Sequence, residues 1–145
     1  MLREKALYFY GKGFNCSQCL LKACESVYKI HISNQSLKLC SGVNNGFGIG
    51  NMCSVLISAI MIFGLMFDET TAKRLRMKLL TTFGEKHSLN CMSLKKEFND
   101  KNCEKIIGAI SDVVEKLINE ERRWFIRQES RKIFLSTFLF FLCVE

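Results

Sequence analysis

Cysteine carries most of the chemistry available to this chain. Eight occur in 145 residues, and two local patterns give them a context. Cys16-Ser-Gln-Cys19 is a C-x-x-C at the head of an amphipathic stretch. Gly46-Phe-Gly-Ile-Gly-Asn-Met-Cys53 is a glycine-rich run that ends in a cysteine where an apolar segment begins. A thiolate is a nucleophile and a soft metal ligand, and the positive end of a helix dipole favours it. Both patterns therefore point to metal, cluster or thiol redox chemistry. Taken alone, the C-x-x-C suits half a zinc site, a redox pair, or two small apolar side chains on one helix face. No second C-x-x-C follows, which disfavours a zinc ribbon, and no βαβ pattern surrounds it, which disfavours a thioredoxin-like domain.

The glycine run does not read as a phosphate cradle. Gly46, Gly48 and Gly50 give G-x-G-x-G with Asn51 where a dinucleotide fingerprint needs glycine, no strand precedes them, and no G-K-[ST] occurs. The anion expected at the following helix terminus is the Cys53 thiolate itself. Cys24, Cys40 and Cys143 lie in apolar or helical contexts and read as buried packing. His31 and His87 read as surface or capping residues, although His87 stands four before Cys91 and could join a site. No Ser/His/Asp order, H-E-x-x-H or apolar carboxylate pair supports a hydrolase.

The start, MLREKALYFYGKGF, holds no apolar h-region, so the expected location is cytoplasmic, where thiols stay reduced. A net charge of +7 reads as a solvated surface, and no nucleic-acid partner is expected.

The elements that must position the cysteines read as helices. Proline is absent and no useful strand-like alternation occurs. Leu2, Ala6, Leu7 and Tyr10 mark a first helix that Gly11 and Gly13 end; Asn15 is placed to cap a second, beginning at Cys16. Residues 33–41 read as a loop with at most one short helix. Residues 53–67 are almost wholly apolar, too short to span a bilayer, and predict a helix buried on all sides. Asp68 caps a helix whose Leu75, Leu79 and Phe83 share a face, and residues 84–102 read as irregular. Ile106, Ile107, Ile110, Val113, Val114, Leu117 and Ile118 then form one apolar stripe.

These readings predict an all-α, single-domain bundle of about five helices, with a central buried apolar helix after the glycine-rich loop. The cysteine-bearing domain is expected over 1–121, and 122–145 as a helical extension, basic and aromatic and then apolar from Ile133 to Val144. That tail suits packing against the bundle or a second copy of the chain; contact with an anionic membrane surface is the less favoured reading.

The succession GFNCSQCL, SGVNNGFGIGNMCSVLISAIMIFGL, NCMSL and NCEKIIGAISDVVEKLI resembles the C-GCAxxG-C-C family of redox-active proteins over residues 5–120. The resemblance implies four functional cysteines, Cys16, Cys53, Cys91 and Cys103, with Cys19 as a possible extra ligand. The family's CGAxxG motif reads here Cys53-Ser54-Val55-Leu56-Ile57-Ser58, serines standing where glycines are expected. It further implies an iron–sulfur cluster and a redox partner protein, and electron transfer or a redox accessory role rather than an enzyme with its own substrate. Zinc on the same four cysteines, cofactor-free thiol–disulfide chemistry and a helical interaction scaffold are the alternatives.

Overall fold

The computed structural model describes the backbone of residues 1–142 and side chains through 131. It contains α1 (Leu2–Gly11), α2 (Gln18–Tyr28), α3 (Asn34–Leu39), α4 (Ser54–Met66), α5 (Glu69–Gly84), α6 (Cys91–Glu97) and α7 (Glu104–Leu142). No strand occurs among the described residues, and the all-α expectation holds. Among the described residues the helix count is seven rather than about five. The additional short helices are α3, in the stretch read as a loop with one short helix, and α6, in the stretch read as irregular. Each is too short to show an apolar period, burying one leucine, Leu37 or Leu94. Each starts on a side-chain cap: the Ser36 amide donates to Ser33 Oγ at 3.1 Å, and the Ser93 amide to Asn90 Oδ1 at 3.1 Å.

Other signals translate directly. Asp68 caps α5, its Oδ1 accepting from the Thr71 amide at 3.0 Å. The N-cap of α2 is Ser17, yet Asn15 works as its expected cap, Oδ1 accepting from the amides of Ser17 and Gln18 at 3.0 and 2.9 Å. The chain divides into two compact units, Met1–Glu115 and Lys116–Glu145. In the first, α1 packs on α2, α2 on α4, and α4 on α5. Their core holds Leu20, Leu21, Leu56, Ile62, Phe63, Leu75, Leu79 and Phe83, with Ile106, Ile107, Ile110 and Val114 of α7 also buried. The N-terminus is fastened to α7, since Glu115 accepts from the Leu2 amide at 3.2 Å and Arg3 pairs with Asp112 at 3.2 Å.

Helix α4 is not buried on all sides as expected: Met61 and Leu65 are exposed. A unit this small has too few elements to enclose an entire helix. No helix among the described residues is long and apolar enough to cross a membrane. The side chains of 133–144, Cys143 included, lie outside the described residues, and with them the readings of the tail as a dimer or membrane contact.

Candidate functional site

The local chain explains where each cysteine stands. Cys16 lies immediately before the Ser17 cap of α2 and is half-buried. Cys53 is the N-cap of α4. Cys91 is the first residue of α6. Cys103 precedes α7 in a left-handed conformation (φ 62°), its carbonyl accepting from the Ile107 amide at 2.8 Å. Asp100 completes that terminus, Oδ2 accepting from the Lys105 and Ile106 amides at 2.6 and 3.2 Å. All four cysteines therefore sit at helix N-terminal ends, where unpaired amides and the dipole favour negative charge.

The glycine run sets the register of two of them. Asn45, Gly46, Phe47, Gly48 and Gly50 all have positive φ, so the chain coils into a wide left-handed turn. Gly46 is obligatory there. A Cβ on it would fall 2.6 and 2.7 Å from the backbone N and O of Asn51 and 2.8 Å from Cys91 Cβ, at φ +63°. Out of this turn, Met52 and Asn90 form an isolated antiparallel bridge. The Cys91 amide donates to Asn51 O at 2.6 Å, and the Cys53 amide to Leu89 O at 2.9 Å. These bonds place the head of α6 against the residues that lead into α4, and hence Cys91 beside Cys53.

Electrostatics ties the four together. Burial pushes the Cys53 thiol up to about 12; negative charge on Cys91 and Cys16 adds to the shift, and the amides of Leu56 and Val55 oppose it. Burial raises Cys103 to about 11, Lys95 working against the rise and Cys16 and Cys91 with it. Cys91 is raised by burial and by Cys16, again against Lys95. Cys19 rises to about 12 through burial and then Cys16. Charge on Cys16 is thus felt by all the others, which makes it the common neighbour. No disulfide joins Cys16, Cys19, Cys24, Cys40, Cys53, Cys91 or Cys103. Among the described residues, no group of three or more His, Cys, Asp or Glu side chains stands in an arrangement that could hold a metal ion.

Several contributors were not singled out from sequence. Ser54, in the second position of the altered CGAxxG motif, lies 3.0 Å from Cys16 Sγ through its hydroxyl. Ser58, in the last, donates to Ser17 O at 2.6 Å and Ser54 O at 2.9 Å. The two serines thus join α2 to α4 and bring Cys16 to the head of α4. Lys95, one turn beyond Cys91, donates to Asn45 Oδ1 at 2.9 Å and puts positive charge on the thiols. Tyr10 of α1 senses Cys103, Cys16 and Cys19, although burial is the larger cause of its rise to about 12. The Lys95 signal was a lysine four residues after a cysteine; nothing local marked Tyr10.

The remaining cysteines and histidines stand apart. Cys40 Sγ lies 3.9 Å from Met61 Sδ, and Cys24 is raised by burial and by the Glu115 charge. His87 hydrogen-bonds Glu97 through Nδ1 and lies between Phe83 and Phe98, ring centroids 5.0 and 4.8 Å away. His31 has no role in this region beyond its charge on Glu25.

A family model described as "Putative redox-active protein (C_GCAxxG_C_C)" matches residues 14–117. No curated protein and no solved structure gives a match. The matched span takes in Cys16, Cys53, Cys91, Cys103 and the serine ladder between α2 and α4, and covers most of the chain, which therefore belongs to this family.

Proposed function

We propose that the chain is an electron-transfer or redox accessory protein whose redox centre is built on Cys16, Cys53, Cys91 and Cys103 and holds an iron–sulfur cluster. The observation that carries this reading is the placement of four cysteines, from four separated segments, at the heads of α2, α4, α6 and α7, with Cys16 as electrostatic neighbour of the other three.

The donor set fits such a group in kind. Cluster ligands are thiolates, and clusters are stabilised by amides directed at sulfur and by a dry surround. The Val55 and Leu56 amides act on Cys53, and Cys53, Cys91 and Cys103 are buried. When bound, such a group would exchange single electrons at a potential set by these surroundings. The chain's own residues do the rest. Burial keeps the Cys53 and Cys103 thiols protonated at neutral pH, so loading the site releases protons. Lys95 offsets part of the negative charge, and Ser54 holds the Cys16 sulfur at the head of α4.

A second reading has its own support. Among the described residues no three donors are grouped to hold a metal ion, and Cys19 Sγ stands 3.4 Å from Cys16 O, one turn along the same segment. Cys16 and Cys19 would then be the two thiols that give up two electrons and two protons to form a disulfide.

Protein purified without oxygen decides between them. Iron with acid-labile sulfide, both lost in Cys53→Ser and retained in Cys19→Ser, supports the cluster. Stoichiometric zinc without sulfide makes the site structural and overturns the redox centre. Metal-free protein that gains a Cys16–Cys19 disulfide on oxidation supports the second reading.

A further inference from the structure

We infer that Phe47, Ile49 and Met92 form the docking patch for an acidic-surfaced electron-carrier protein, delivering it next to Cys91. The inference deepens the proposed redox role and rests on it for its purpose, while its geometry stands independently.

The first observation is an exposure that the fold has to maintain. Phe47 is 49% exposed, Ile49 78% and Met92 55%, large apolar side chains turned to solvent within one short region. Two adjoining segments carry them: a Cβ on Gly50 would fall 2.1 Å from Met92 Cγ, and the glycine turn is bonded to the head of α6 through Asn51 and Cys91. Exposed apolar groups gathered in this way mark interaction sites rather than ordinary surface.

The second observation is strain. Asn45 and Phe47 hold left-handed φ values of 53° and 60°. For residues with a Cβ, that conformation is sterically disfavoured. The same turn sets the register of Cys53 and Cys91, and it leaves Phe47 turned to solvent at the site's edge.

The third observation selects the partner. From Ser33 to Phe67 the chain has no acidic residue, and its single charge is Lys38. Across the turn, α6 adds Lys95, bonded to Asn45, and Lys96, while its one carboxylate, Glu97, is held by His87 and the Ser88 amide. An apolar centre beside lysines, with no carboxylate in the surrounding loop, complements an apolar patch rimmed by Asp and Glu. Cys91 precedes Met92 in the chain and packs against the same turn, its Cβ 2.8 Å from where a Gly46 Cβ would stand. A partner seated on Phe47, Ile49 and Met92 is thus brought to the edge of the thiol set.

The test is binding of the full chain to an acidic [2Fe–2S] ferredoxin, with basic cytochrome c as the opposite-charge probe. Ile49→Ser combined with Met92→Gln should weaken ferredoxin binding at least about tenfold, as losses at an interface centre do. Wild-type binding should also weaken from low to high salt. The melting curve should stay unchanged, and Leu65→Ser, on the exposed side of α4, should bind like wild type. Unchanged affinity in the double variant, equal affinity for cytochrome c, or no binding of the ferredoxin overturns the inference. So does a dimer in sedimentation that the double variant dissolves, because the patch would then serve a second copy of this chain. Failure of the redox reading is separately visible: iron, sulfide and a redox disulfide would all be lacking while double-variant-sensitive binding persisted.

Discussion

Cys24 and Cys53 are both buried cysteines on helices of the same unit, and they differ in everything that chemistry needs. Cys24 lies within α2, where the backbone amides are already committed to the helix, and the charge it feels is that of Glu115. Cys53 is the N-cap residue of α4, where the Val55 and Leu56 amides favour its charged form, and it shares its surroundings with Cys91 and Cys16. Burial raises both thiols. Only Cys53 has free amides and other thiols about it. A buried cysteine thus becomes a candidate redox ligand through its position on the helix and its neighbours, and its burial alone says little.

The comparison can be broken most severely at the thiols themselves. Cys53→Ser should abolish the redox centre, read as iron, sulfide or reversible thiol oxidation. Cys24→Ala should leave that signal whole and cost only about 1–2 kcal/mol of stability in denaturant unfolding. Equal loss of redox signal in both would erase the distinction.

Alkali tests it next. In the reduced, metal-free chain, the folded thiols of Cys53, Cys19 and Cys103 sit at about 12, 12 and 11, above the ordinary value of 9.0. The folded state then holds more protons than the unfolded state between these values. The stability from these groups is complete below about pH 9 and declines as pH climbs toward 11–12. Melting temperature should fall through that window. In loaded protein Cys53 and Cys103 are already deprotonated, so the remaining decline belongs to the unligated Cys19 and Cys24.

The scaffold under Cys53 and Cys91 gives a smaller effect. Gly46→Ala meets backbone atoms at positive φ and should cost about 2–3 kcal/mol in unfolding experiments. Gly42→Ala, with open space around it, should stay within about 0.5 kcal/mol. Smallest is Ser54→Ala. Loss of one hydrogen bond to sulfur should cost about 1 kcal/mol and change the alkylation rate of Cys16 severalfold, leaving that of Cys24 alone.

Much of this architecture was legible in the chain because its cause is local. Asp68 announces α5 by a cap, and Ile106 to Val114 announce α7 by a repeat. Helix α6 went unread, and α3 was legible only as one short helix within a loop, because each buries a single leucine and two turns show no period. The exposed side of α4 was hidden for the opposite reason, since an all-apolar stretch does not say which of its faces finds a neighbour. In the site, the glycine run and its terminal Cys53 were plain, and the family resemblance supplied Cys91 and Cys103. Ser54 on Cys16, and Lys95 reaching Asn45, arise only when distant segments meet, so spacing along the chain carries no trace of them.

The most direct test of the central claim, that Cys16, Cys53, Cys91 and Cys103 act as one centre, is residue-resolved cysteine alkylation by mass spectrometry across a redox titration of the intact protein. The four should gain and lose reactivity together, at one midpoint, while Cys24 stays constant. Four independent midpoints, or Cys24 changing in step with Cys53, would contradict it.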